Sequence, residues 1–272
     1  MMDFEESRPF TETHALKPFI STDEDSMSMQ FDLKLIQSRM RLDDPVALDL
    51  PYTQAMMAFL MLNPAPRSVL MIGLGGGSLA KYCHAHLPQA NITVVEINPH
   101  VIEVRDAFMV PPDSDRFRVV CGDGAAFLAT VPRGTFDLIM VDGFSYEGQP
   151  ETLVSIDFYK ACRKALGESG TLVVNLQDIE PECTRLVGRI WQTFGEAVMA
   201  LDIECGGNRI AVASTEEVFR ECAGSFGWRW AALPQAHQDT LQFSKASIEY
   251  ELEPWLSSKK PAQASKPKKR GR

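Results

Sequence analysis

A run of glycines and three acids, spread over residues 69–142, are the groups whose types and spacing suit them to chemistry. The glycines stand in Gly73-Leu-Gly75-Gly76-Gly77-Ser, directly after the apolar run Val69-Leu-Met-Ile72. Without side chains, such a loop lets backbone N–H groups approach a ligand at the start of a helix, although tight strand-to-helix turns use glycine for packing too. Glu96 ends the next apolar run about 20 residues on, where an acid accepts hydrogen bonds from ribose hydroxyls. Asp123 lies in Gly122-Asp-Gly124 after Val119-Val-Cys121. Its carboxylate suits an exocyclic adenine amine, and equally the N-cap of a helix beginning near Ala125. Asp142 closes Leu138-Ile-Met-Val-Asp142. A carboxylate there can act on a cationic group beside the ribose, or serve only as a turn acid before Gly143. The ordered set of four strand ends points to a bound nucleoside.

The elements that must position these groups alternate from Arg67 onward. Strands are expected at 68–72, 92–96, 117–121, 136–141, 170–176, 197–203 and 209–214, and helices at 78–87, 99–108, 124–130, 155–166, 181–194 and 215–225. That rhythm implies an α/β fold with a parallel sheet covered on both faces, its polar groups gathered at the carboxyl edge. The last two strands flank Cys205-Gly-Gly-Asn208, a hairpin-like turn. A mostly parallel seven-stranded sheet with an antiparallel C-terminal hairpin suits the class I methyltransferase-like Rossmann variant better than the dehydrogenase one. Residues 1–50 read instead as a small β unit, with the period-two run Met29 to Ile36 and a turn at Ser21 to Ser26. Tyr52 to Leu62 looks helical and stops at Asn63-Pro-Ala-Pro66. The expected division is 1–50 for the β unit, 51–256 for the nucleoside-binding domain and 257–272 for a disordered basic tail.

Composition narrows the partners. The formal charge of −9 hides seven basic residues after Glu253; without them, 20 basic face 36 acidic residues, a body charge of −16. Such a body repels nucleic acid and favours cationic ligands. The longest strongly apolar stretch, Ala55 to Leu62, is too short to span a bilayer, and no secretory signal is visible, so a cytoplasmic location is expected. Six scattered cysteines without a Cys-x-x-Cys pair, Cys121 among them in its apolar run, read as reduced, buried thiols. His84 and His86 do not share a helix face, and no metal is expected. Met56, Met57 and Met61 read as core.

With these residues in view, the chain resembles the spermidine synthase family, the polyamine aminopropyltransferases, from about Leu42 to Gln177. The likeness is carried by Val95-Glu96-Ile97, Gly122-Asp123-Gly124, Asp142, Gly148-Gln-Pro150 through Leu153, Phe158-Tyr159 and Ala165-Leu166. Gln177 falls where the family has a glutamine and Tyr52 where it has an active-site tyrosine. The resemblance implies a small N-terminal β domain before an AdoMet-type Rossmann domain. It implies that Gly73, Gly75, Gly76, Gly77, Glu96, Asp123 and Gly124 bind the nucleoside, that Asp142 acts on the attacking amine with Tyr52 orienting it, and that Ser145, Tyr146 and Gln177 meet the substrate. Two positions depart: Gly76 and Ser145 stand where the family carries acids that hold cations, contacts worth about 1.5–3 kcal/mol each.

The leading expectation is therefore aminopropyl transfer from decarboxylated S-adenosylmethionine to a polyamine-type amine, releasing methylthioadenosine. Methyl transfer from S-adenosylmethionine on the same fold is the second, since a site without an acid at Gly76 need not reject the donor's α-carboxylate. An NAD-dependent oxidoreductase and a non-catalytic nucleoside-binding protein are the others. The partner expected is a small-molecule amine, with a homodimer as the assembly considered.

Overall fold

A computed structural model describes residues 16–31, 36–144, 148–203 and 207–256. The basic tail, Ser145 and Tyr146 lie outside the described residues. Strands β1 (Phe19–Thr22), β2 (Ser26–Gln30) and β3 (Ile36–Arg41) form an antiparallel sheet in that order. The expected turn at Ser21–Ser26 is shorter, because Ser21 and Thr22 pair with Ser28 and Met27. Asp23 closes it by accepting hydrogen bonds from the Asp25 and Ser26 amides. Of the period-two run over 29–36, Met29 and Gln30 lie in β2 and Ile36 opens β3, while 32–35 lie outside the described residues. Met29 and Met40 give this small sheet its buried face.

Pro51 opens α1 (Pro51–Ala55), which runs through a 3₁₀ turn (Met56–Ala58) into α2 (Phe59–Leu62). Every residue from Ala55 to Leu62 is buried, which accounts for the uniformly apolar composition here. Arg229 caps this unit by donating to the Met61 and Leu62 carbonyls at 3.2 and 3.1 Å.

The main sheet holds β4 (Ser68–Ile72), β5 (Asn91–Glu96), β6 (Phe117–Cys121), β7 (Phe136–Val141), β8 (Leu166–Gln177), β9 (Val198–Ile203) and β10 (Asn208–Ala213). Their spatial order is β6-β5-β4-β7-β8-β10-β9, with β10 antiparallel to both neighbours and the pairings of β4 through β8 parallel. Val69 and Met71 join one buried cluster while Leu70 and Ile72 join the other, so both faces are covered and the strands read as unbroken apolar runs. The strand order reverses direction at β4, the point where open α/β sheets leave a crevice.

Helices α3 (Ser78–His86), α4 (Pro99–Glu103), α5 (Gly124–Thr130), α6 (Glu151–Val154), α7 (Ile156–Ala165) and α8 (Glu182–Phe194) cover the sheet. The expected helix over 99–108 ends at Glu103, and turns carry the chain to Met109, whose φ is +54°. This bend buries Phe108 completely. Helix α9 (Glu216–Ala232) is kinked at Ser225, where the sequence pattern ends the helix. Helices α10 (Gln235–Leu241) and α11 (Lys245–Leu256) complete the cover. Trp255 packs edge-on against Phe219, with ring centroids 5.4 Å apart. Cys83, Cys162, Cys183 and Cys222 are buried free thiols, but Cys121, at the end of edge strand β6, is exposed. No helix among the described residues is long and apolar enough to cross a membrane.

Candidate active site

A cavity opens at the carboxyl ends of β4, β5, β7 and β8, closed on one side by β3 and α1. The glycine loop leaves β4 with Gly73 at a φ of +99°. A Cβ on Gly73 would lie 2.2 Å from the Asp142 carbonyl oxygen, so only glycine lets the ends of β4 and β7 run this close. The Asp142 amide in turn donates to the Ile72 carbonyl at 2.9 Å. The loop and the acid are thereby fixed to each other through backbone.

Glu96 is nearly buried and is held by backbone amides. Leu74 N–H donates to Oε2 at 2.7 Å and Asn98 N–H to Oε1 at 2.8 Å. Burial raises its proton affinity, and the amides of Asn98, Leu74, Gly75 and Ile97 oppose that rise. Each oxygen retains lone-pair capacity for a ligand hydroxyl. Asp142 Oδ1 accepts from Asn175 Nδ2 at 2.8 Å, and Oδ2 accepts from the Tyr52 hydroxyl at 3.3 Å. Burial moves the Asp142 carboxyl upward against these two hydrogen bonds. Burial, and then the charge of Asp142, push the Tyr52 hydroxyl well above the ordinary tyrosine range, so it is a donor here.

Tyr52, Gly73, Gly75, Glu96, Asp142 and Gln177 line this one cavity. Gly76, Gly77, Asp123 and Gly124 do not. Asp123 is the N-cap of α5, its Oδ1 accepting from Ala126 N–H at 2.7 Å. A Cβ on Gly76 would stand 2.6 Å from Ser38 Oγ and 2.8 Å from Phe108 Cδ1. The space beside Gly76 is thus filled from β3 and from the bend after α4. Lys81, buried in α3, donates to the Phe108 carbonyl at 2.8 Å and holds that bend in place; burial lowers its pKa to about 8.

Sequence reasoning missed Gln37, Ser38, Asn175 and Asn208, which also line the cavity. Asn175 had a readable signal, because it is the one polar residue in Leu172-Val-Val-Asn-Leu176, and a polar group buried in a strand needs partners. Asp178 and Glu180 pair with Arg209 at 3.2 and 3.0 Å, so they are already committed to a cation. The same two acids and Cys183 have ligand atoms close enough to hold a metal ion, but the guanidinium supplies the positive charge there.

Residues 50–198 match the spermine/spermidine synthase domain. The polyamine aminopropyltransferase of Chromobacterium violaceum is 37% identical over 195 residues, covering 71% of this chain and 74% of that protein. Among solved structures, a spermidine synthase in complex with the transition-state analogue AdoDATO superposes with a TM-score of 0.55 at 19% identity, covering 84% of this chain and 89% of that one. Human methyltransferase-like protein 13 in complex with SAH gives a TM-score of 0.58 at 23% identity, covering 79% and 96%. The two structures share the fold and differ in the ligand they hold.

Proposed function

Since the chain belongs to the spermine/spermidine synthase family, a family of transferases, we propose that its cavity transfers an aminopropyl group from decarboxylated S-adenosylmethionine to a polyamine-type amine. The observation that carries this reading is the pair Tyr52–Asp142 facing the same cavity as Glu96 and the glycine loop. Gly73 and Gly75 let the nucleoside approach backbone, and Glu96 accepts from its ribose hydroxyls. Gly76, Gly77, Asp123 and Gly124 extend the nucleoside site beyond the cavity lining. Asp123 contributes its second carboxylate oxygen toward the adenine amine while Oδ1 caps α5. Gln177 borders the acceptor, as do Ser145 and Tyr146 by their place in the chain.

In the reaction, the amine nitrogen attacks the methylene carbon beside the sulfonium. The carbon–sulfur bond breaks with its electron pair going to sulfur, and methylthioadenosine leaves. A free alkylamine has a pKa of about 10.4 and arrives mostly protonated. Asp142 takes the surplus proton on Oδ2, and Tyr52 orients the incoming nitrogen. In-line placement of donor and acceptor supplies much of the acceleration. Binding needs no metal in this scheme, and the acidic body attracts the cationic acceptor. A cytoplasmic location and a homodimeric assembly belong to the same reading.

Methyl transfer is the second reading, and one observation favours it. Ser38 and Phe108 fill the space beside Gly76, so no acid stands there to select a donor without the α-carboxylate. A mass-spectrometric assay with both donors and a panel of amines separates the two. Methylthioadenosine from the decarboxylated donor is the expected product; adenosylhomocysteine from S-adenosylmethionine, with no methylthioadenosine, would overturn aminopropyl transfer.

A further inference from the structure

Asp142, just past the end of β7, and Asn175 and Asn208, on β8 and β10, stand on neighbouring strands of the sheet and are joined in series. Asn208 Nδ2 donates to Asn175 Oδ1 at 3.0 Å, and Asn175 Nδ2 donates to Asp142 Oδ1 at 2.8 Å. Asn175 is 2% exposed, and its main-chain carbonyl accepts from Gln149 Nε2 at 2.6 Å. A carboxamide has one donating and one accepting end. Turned over, Asn175 would set its oxygen against the Asp142 carboxylate and its amide hydrogens against those of Asn208. Both contacts would be repulsive, so the acceptor-only carboxylate of Asp142 sets which end of Asn175 faces it, and Asn208 supports that setting from the other side. The hairpin end that carries Asn208 is itself anchored, with Asp178 N–H donating to the Gly207 carbonyl at 2.8 Å and Arg209 bridging Asp178 and Glu180.

We propose that Asn175 is the positioning residue of this site: it ties Asp142 Oδ1 to β8, leaves Oδ2 beside Tyr52 as the oxygen that receives the amine proton, and is supported from behind by the donor of Asn208. This rests on the role given to Asp142 above. A hydrogen bond donated to a carboxylate favours its ionised form, which is the form a base must have on arrival of the ammonium. The effect acts against the burial that drives Asp142 the other way. The titratable groups among the described residues lining the cavity are Tyr52 from α1, Glu96 from β5 and Asp142 itself. Asn175 and Asn208 carry no charge, so removing them changes the proton affinity of Asp142 without adding a charge to the cavity.

The test is a carbon-13 titration of the full chain with labelled aspartate carboxyls, Asp142→Asn identifying the resonance. In Asn175→Leu the Asp142 midpoint is expected to rise by about one pH unit or more, the size of a lost charge-assisted hydrogen bond. Asn208→Ala is expected to raise it less, in the same direction. The acid limb of kcat/KM should move with the midpoint, which a purely structural defect would not produce. Should Asn175→Leu fail to fold, Asn208→Ala, at the partly exposed hairpin, carries the measurement. An Asp142 midpoint unchanged in the folded variants would overturn the proposal. Wild-type protein inactive with both donors would instead overturn the transferase reading, and the titration would still decide the role of Asn175.

Discussion

In the proposed reaction Asp142 has to be ionised when a protonated amine arrives, and burial works against that. Its folded-state pKa lies above the ordinary carboxylate value, so transfer should fade as pH falls through that raised midpoint and persist above it. The acceptor's own deprotonation adds a second, more alkaline rise. Replacing Asp142 by Asn removes the proposed proton acceptor at nearly constant shape. The expected loss in kcat is about 10²–10⁴-fold, with donor binding by calorimetry little changed. Equal turnover in the variant would remove Asp142 from the chemistry. Tyr52→Phe keeps the ring and loses the 3.3 Å hydrogen bond, so a smaller loss with a higher Asp142 midpoint is expected from a pH–rate profile.

β4, β5 and β7 were legible because each is a largely apolar run that meets a glycine or an acid at its end; β4 at 68–72 and β6 at 117–121 fall where the pattern puts them. The bend after α4 was not. Val104 to Phe108 continues the apolar spacing of a helix, yet the helix ends at Glu103 and the bend seats Phe108 beside Gly76, a contact between segments that spacing along the chain does not carry. β3 was equally obscure, since Ile-Gln-Ser-Arg-Met-Arg alternates a serine with a methionine on its inner side. Asp142, Glu96 and the glycine loop could be found from spacing along one chain, whereas the Asn208–Asn175–Asp142 series depends on the order of strands in space. Two glycine substitutions examine this level. In Gly73→Ala the new methyl meets the Asp142 backbone, so a stability loss of about 1–3 kcal/mol is expected in urea titration, with activity falling alongside. Gly76→Asp should likewise destabilise, because Ser38 and Phe108 occupy the space; a stable variant with improved turnover would show that the space can reopen.

At the scale of the molecule, the C-terminal helices join the fold through polar contacts as well as core. The Tyr82 hydroxyl hydrogen-bonds His237 Nδ1 at 2.7 Å, and Thr240 Oγ1 donates to the same hydroxyl at 3.0 Å. Burial, followed by the neighbouring His86, lowers the pKa of His237 to about 4. The unfolded chain then takes up a proton near pH 6.5 that the folded chain refuses. This contribution to stability is complete above that value and is lost progressively as pH falls toward about 4. Thermal melts across this range should show the loss, and His237→Gln should flatten it. Arg229→Ala should lower stability by about 1–3 kcal/mol through the two abandoned carbonyls of α2. Those same bonds have a consequence for synthesis. The helix that ends in them follows the segment carrying Tyr52 and precedes every strand of the main sheet, while Arg229 lies in α9, after all of them. A chain made only through β10 has its glycine loop and its acids but lacks this clasp on the segment presenting the tyrosine, so the clasp arrives with α9, after the whole sheet.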